Sequence, residues 1–89
     1  MSKIMDKINA GAKIIDVRSP DEYADGFYKG AINIPVSIMP KKMDLIGSKD
    51  TPIIVYCASG SRSAVAMSLL KAAGFTEVTN AGGLGDMPA

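Results

Sequence analysis

The sequence contains no histidine and no tryptophan, a single cysteine, and aromatic residues at only 6% of its positions. Each shortage excludes a kind of chemistry. Without histidine the chain cannot supply a Ser-His-Asp or Cys-His arrangement, a His-bearing zinc site or an imidazole proton shuttle. One cysteine leaves no intrachain disulfide framework and no CxxC redox pair, and with no histidine beside it no structural zinc site is expected. Any disulfide chemistry must use a partner's thiol. No apolar run is long enough to cross a membrane. No basic stripe points to nucleic acid, and no run of like charge points to an interaction tail, the net charge being +1. The start carries no signal-peptide pattern. A cytoplasmic protein is therefore expected, the alternative being a periplasmic one whose signal peptide was removed.

What remains is an ordinary globular composition, 47% apolar and 21% charged over 89 residues. That length fits one domain, residues 1–89, which buries about 60–65% of its unfolded surface. A monomer is the default, because no long apolar helix seam is present.

The chain reads as helices alternating with short apolar strands. Ile4, Met5 and Ile8 have helical spacing, with Ser2 available as a cap and Gly11 as a stop. Residues 13–17 form a strand candidate. Ser19-Pro20-Asp21-Glu22 is a helix start, with Ser19 at the N-cap, Pro20 at N1 and Glu22 completing a capping box. Residues 31–34 read as a second strand stopped by Pro35, and residues 37–46 as a short helix around Pro40. The β-branched and aromatic run Ile53 to Tyr56 predicts a buried strand. Residues 64–73 predict a helix ended by Gly74, with Val65, Leu69 and Leu70 as its buried face. Residues 75–80 suggest a last strand, and residues 81–85 a flexible loop. Met39, Met43, Met67 and Met87 read as packing residues rather than metal ligands. This alternation predicts a three-layer α/β/α domain with a small, mostly parallel central sheet.

The most informative stretch is Cys57-Ala58-Ser59-Gly60-Ser61-Arg62-Ser63. It places the cysteine at the carboxyl end of a strand, before a small polar loop and a helix N-terminus. Ligands bind at that edge in open α/β sheets. Curled backbone N–H groups and the positive helix end favour an anion there. Such a setting lowers a thiol pKa from about 8.5 to roughly 3.5–7.5, which makes Cys57 a candidate thiolate nucleophile. The bland alternative is an inert buried cysteine. The small loop residues argue against it, because they offer little to shield the sulfur.

Three blocks resemble the rhodanese (thiosulfate sulfurtransferase) family, in its small single-domain bacterial form. They are Asp16-Val17-Arg18 with Glu22-Tyr23, then Gly30-Ala31-Ile32-Asn33-Ile34-Pro35, then the loop Cys57 to Ser63. The closing Asn80-Ala81-Gly82-Gly83-Leu84 resembles the family's late double glycine. Together they run nearly the length of the chain in the family's order. The resemblance implies a rhodanese-like fold; the chain departs from the family in lacking the first strand of longer members and in a last helix that is missing or vestigial, so a trimmed sheet of about four strands is expected. It also implies sulfur transfer through a Cys57 persulfide. The donor would be thiosulfate or another sulfane-sulfur compound, and the acceptor cyanide or a thiol, a protein thiol included. Neither metal nor cofactor is required.

Under that resemblance Cys57 is catalytic, and Ala58, Ser59, Gly60, Ser61 and Arg62 hold the persulfide anion through backbone N–H groups. Ser59 and Ser61 are expected to add hydroxyl donors. Arg62 either attracts an anionic donor or braces the loop by bonding backbone carbonyls. Asp16, Arg18 and Glu22 are expected near the site in structural roles. An Arg18–Glu22 ion pair would fix the turn, and Asp16 would accept from nearby backbone N–H groups. Two other readings share the same loop: a persulfide carrier or partner-binding module with weak turnover, and a phosphatase or arsenate reductase on this fold. The latter expects five residues between Cys and Arg; here four intervene.

Overall fold

The computed structural model describes residues 3–89. Four parallel strands form one sheet: β1 (Lys13–Asp16), β2 (Ile32–Asn33), β3 (Ile53–Cys57) and β4 (Val78–Gly83), in the order β2-β1-β3-β4. Every residue of β3 is buried, as a continuous apolar run in a parallel sheet requires. Alternation along β3 divides the core in two. Val55 and Cys57 join Ile15, Met39, Ala66 and Leu70 on one face, while Ile54 and Tyr56 join Ile14 and Met87 on the other.

Helix α1 (Lys3–Asn9) places Ile4 and Ile8 against the second cluster. Ser2, expected to cap it, lies outside the described residues. Helix α2 (Pro20–Asp25) starts as its sequence dictates: Ser19 accepts from the Glu22 backbone, and the Glu22 side chain accepts from the Ser19 backbone. Helix α3 (Ser61–Ala72) covers the first cluster with Ser63, Ala66 and Leu70. Its buried face therefore differs from the expected one. Leu70 is buried, but Leu69 is half-buried and Val65 is 54% exposed. The small residues Ser63 and Ala66 face the sheet because the helix begins against the loop that follows β3. Met39 and Met87 are buried, and Met43 and Met67 pack on the first cluster.

Two further expectations are corrected. Residues 37–46 do not form an α-helix but two 3-10 segments, Val36–Lys41 and Met43–Leu45. Pro40 lacks an N–H and its ring obstructs the carbonyl four residues back, so only short turns close there. They still deliver Met39 and Ile46 to the core.

The last strand lies three residues later than expected, at Val78–Gly83 rather than 75–80. Phe75 is instead buried beneath α3, with its N–H bonded to the Leu70 carbonyl at the helix end. Residues 81–83, read as part of a flexible loop, belong to β4. Its register steps from Val55↔Asn80 to Tyr56↔Gly82, leaving Ala81 as a bulge residue. The 3-10 turn Leu84–Asp86 follows β4.

The glycines of β4 are explained by proximity. A Cβ on Gly83 would sit 2.3 Å from the Ala58 carbonyl oxygen, well inside contact distance. The end of β4 is thus the wall against which the loop after Cys57 is pressed. Gly83→Ala should force the loop and strand apart and destabilise the fold by about 1–3 kcal/mol, the usual range for overpacking. Urea unfolding checks this, and a midpoint equal to the parent's would contradict the packing argument.

Candidate active site

The strand β3 delivers Cys57 to the carboxyl edge of the sheet. The chain then turns through Ala58, Ser59 and Gly60 into α3. Gly60 has φ +103°, a left-handed conformation that side chains rarely adopt, and it directs its own N–H at the sulfur. That N–H lies 2.9 Å from Cys57 Sγ, and the Ser63 N–H lies 3.4 Å away. The Ser63 hydroxyl is also 3.4 Å from Sγ. Burial raises the thiol pKa. The Ser63 hydroxyl and the N–H groups of Ser63, Ser59 and Gly60 outweigh it, lowering the pKa to about 7. Part of the sulfur is therefore thiolate at neutral pH.

Cys57 has 0% exposure, which corrects the expectation of an open sulfur. Small side chains leave little to cover it, but here the backbone does the covering: the loop curls over Sγ and α3 begins directly above it. Ser59 and Ser61 are exposed and their hydroxyls do not reach the sulfur. The hydroxyl that does is Ser63.

Ser63 is a residue whose role sequence reasoning missed. Its Oγ lies 2.6 Å from Asn80 Oδ1, 3.0 Å from the Gly60 carbonyl and 3.3 Å from the Gly82 carbonyl. A hydroxyl has one proton to donate, so these acceptors compete with the sulfur for it. With a thiol, Sγ–H donates to Ser63 and the hydroxyl donates to Asn80. With a thiolate, the hydroxyl can turn to sulfur, while Asn80 Oδ1 keeps the Gly82 N–H at 2.9 Å. The available signal was positional: Ser63 is the third residue of α3, and an N–H in the first helical turn has no partner within the helix.

The charged residues pair differently from expectation. Arg18 does not meet Glu22. Its Nε and Nη2 grip the Asp16 carboxylate at 2.9 and 2.6 Å, and Nη2 also donates to the Gly26 carbonyl at 2.7 Å. Asp16 is fully buried and needs a charged partner. It also accepts from the Arg18 backbone N–H at 2.9 Å, in keeping with the role expected of it, and from the Tyr56 hydroxyl at 2.8 Å. Burial pushes the Tyr56 hydroxyl up to about 12, so it remains a donor.

Glu22 instead takes Arg62 in a two-point pair at 2.6 and 3.0 Å. Arg62 thus pairs with a carboxylate on α2 rather than with backbone carbonyls of its own loop. Beside it lies a pocket of about 250 Å³ lined by Val17, Ser19, Pro20, Pro35, Val36 and Arg62. Among the described residues, no group of three or more acidic or cysteine side chains could hold a metal, and no helix is long and apolar enough to cross a membrane.

Comparison with known proteins places this geometry. The model of the Rhodanese-like domain family matches residues 1–84. The chain is 39% identical over 74 residues to thiosulfate sulfurtransferase PspE of Escherichia coli strain K12, covering 82% of this chain and 71% of that protein. It is 36% identical over 67 residues to a sulfurtransferase of Allochromatium vinosum, covering 75% of this chain and 62% of that protein. A solved structure described as a rhodanese with anions from E. coli superposes with a TM-score of 0.82 at 37% identity, covering 86% of this chain and 92% of that one.

The sulfur's environment sets a pH dependence. Thiolate is the reactive form, so alkylation of Cys57 by iodoacetamide should accelerate with rising pH and level off above a midpoint near 7. Ser63→Ala removes a donor to the thiolate and should move that midpoint upward. A pH profile left in place by Ser63→Ala would remove the hydroxyl from the account.

Proposed function

The chain belongs to the rhodanese-like family, and from that premise we propose that it is a sulfurtransferase working through a persulfide on Cys57. The observation that carries this reading is the ring of donors about Sγ: the backbone N–H groups of Ser59, Gly60 and Ser63 and one hydroxyl, aimed at a single sulfur and holding it partly ionised near neutral pH.

In the first step the Cys57 thiolate attacks the outer sulfur of thiosulfate or a comparable sulfane donor. A new S–S bond forms at Cys57, the donor's S–S bond breaks, and sulfite leaves with that electron pair. The negative charge moves to the terminal sulfur of the persulfide. The loop N–H groups from Ala58 to Arg62 then face an anion one bond further out, and they stabilise it as fixed dipoles. In the second step a thiolate or cyanide attacks that terminal sulfur. Cys57 leaves as thiolate, and the product is a persulfide or thiocyanate. Splitting the transfer in two is ordinary covalent catalysis. Sulfite is a stable anion and needs no protonation to depart, which fits a chain without histidine.

The burial of Sγ favours one refinement. A donor must contact the sulfur, so the loop has to yield before either step. Turnover of small donors is therefore slow, and the protein acts in the manner of a persulfide carrier that hands sulfur to a thiol, including a protein thiol. A phosphatase finds less support. Four residues separate Cys57 from Arg62, and the guanidinium that would grip a tetrahedral oxyanion is already held by Glu22.

Intact-protein mass spectrometry tests the proposal. Incubation with thiosulfate should add one sulfur atom to the parent and none to Cys57→Ser, and later cyanide should remove it. Absence of the adduct with both thiosulfate and a protein persulfide donor would overturn the sulfurtransferase reading.

A further inference from the structure

The bulge in β4 brings Asn80 into the surroundings of the sulfur. Asn80 lies opposite Val55, so its side chain belongs to the face of the sheet that carries Cys57 and α3. The pairing then steps to Tyr56↔Gly82, and bulges of this kind re-aim side chains beside functional sites. Here the Asn80 amide meets three segments. Its Oδ1 lies 2.6 Å from the Ser63 hydroxyl of α3 and accepts the Gly82 N–H at 2.9 Å. Its Nδ2 lies 3.4 Å from the Gly60 carbonyl in the loop. Gly60 and Ser63 both aim donors at Sγ, so Asn80 holds the sulfur's neighbours rather than the sulfur.

The Ser63 hydroxyl has one proton, and acceptors of different character compete for it. Asn80 Oδ1 lies at 2.6 Å and Sγ at 3.4 Å. The carbonyls of Gly60 and Gly82 are at 3.0 and 3.3 Å. Sγ competes only while it is charged. As a thiol it donates to Ser63 instead. In a persulfide it is a neutral bridging atom, and the charge sits on the terminal sulfur. Asn80 therefore opposes the thiolate but neither of the uncharged states of Sγ.

Resting on the sulfurtransferase reading, we propose that Asn80 is a positioning residue that prolongs the Cys57 persulfide by keeping the Ser63 hydroxyl turned from the sulfur. Discharge returns a charge to Sγ. The acceptor's thiolate or cyanide bonds to the terminal sulfur, the bond from that sulfur to Sγ breaks, and Cys57 leaves with the electron pair. To stabilise that charge the hydroxyl must turn from Oδ1 to Sγ; its proton changes hydrogen-bond partner and is not transferred. Each discharge thus gives up the short contact to Asn80. That slows loss of sulfur to passing small acceptors and suits a protein that carries sulfur to a thiol.

The experiment loads the full chain with thiosulfate and follows single-turnover discharge by cyanide with intact-mass analysis. Asn80→Ala should discharge about three- to ten-fold faster than the parent, the range of one hydrogen bond. Its midpoint for alkylation by iodoacetamide should fall below the parent's. Asn80→Asp keeps an acceptor beside Ser63 and adds a negative charge, so it should discharge more slowly, with a raised midpoint. In a Ser63→Ala background, Asn80→Ala should change neither quantity. The charged groups on the elements packed around the site are the same in all these chains: Arg62 of α3, Glu22 of α2, Asp86 of the last turn, Lys41 of the first 3-10 segment and the Asp16–Arg18 pair.

Discharge of Asn80→Ala no faster than the parent overturns the proposal. So does a shift of the same sign in both Asn80 variants, which marks a loosened loop, or an effect that survives in the Ser63→Ala background. If Asn80→Ala does not fold, Asn80→Asp decides, and discharge as fast as the parent's or faster is fatal. A parent that loads with neither thiosulfate nor a protein persulfide donor brings down the sulfurtransferase reading, and the role given to Asn80 with it. A parent that loads normally while Asn80→Ala discharges no faster brings down this inference alone.

Discussion

The Asp16 carboxylate is buried at the end of β1, and an ionised group out of water destabilises a fold by several kcal/mol unless it is paired and hydrogen-bonded. Its partners come from several parts of the chain. Arg18 supplies a backbone N–H and a two-point guanidinium, and Tyr56 supplies its hydroxyl from β3. Tyr56 in turn accepts the Tyr28 N–H, and Asn33 of β2 donates to the carbonyls of Asp16 and Arg18. The satisfied network therefore ties β1, β2, β3 and the segment after α2 together. It does so at the residue immediately before Cys57, on the opposite face of the same strand. No buried side-chain nitrogen or oxygen among the described residues lacks a partner.

That arrangement shapes the chemistry on the other face. With Arg18 committed to Asp16 and Arg62 paired with Glu22, neither guanidinium bonds the sulfur, and Arg62 acts on it through its charge alone. The direct contacts come from neutral dipoles, the N–H groups of Ser59, Gly60 and Ser63 and the Ser63 hydroxyl. Such dipoles are effective because they are fixed in place and shielded from water. Their position depends in turn on the glycines of β4. Gly83 allows the Ala58 carbonyl to approach, and the Gly82 N–H orients Asn80 toward Ser63.

Much of this was legible in the sequence where the signal is local. The capping box of α2, the continuous apolar strand β3 and the helix after the cysteine loop all follow from patterns a few residues wide. The failures lie where distant parts of the chain compete. Val65 has helix-core chemistry but faces solvent, because the sheet contacts α3 through Ser63 and Ala66. The glycine-rich segment 81–83 resembles a flexible loop, since nothing local reveals that a carbonyl from residue 58 packs against it. Pro40 excludes a continuous helix over residues 37–46, but the shape of the two 3-10 turns that replace it is set by delivering Met39 and Ile46 to the core.

By itself the sequence determined a parallel α/β layout, the single cysteine at the carboxyl end of a strand and the absence of any histidine-based chemistry, because strand and helix periods and residue types are properties of short windows. Tertiary structure alone decided which carboxylate each arginine serves, how deeply the sulfur is buried and which hydroxyl reaches it. Arg62 and Glu22 are forty residues apart, as are Tyr56 and Asp16. Several partners of opposite charge were available to each arginine. For Arg18 the choice fell to Asp16, buried where an unpaired charge is least tolerated, whereas Arg62 and Glu22 meet at the surface with more than a third of each side chain exposed.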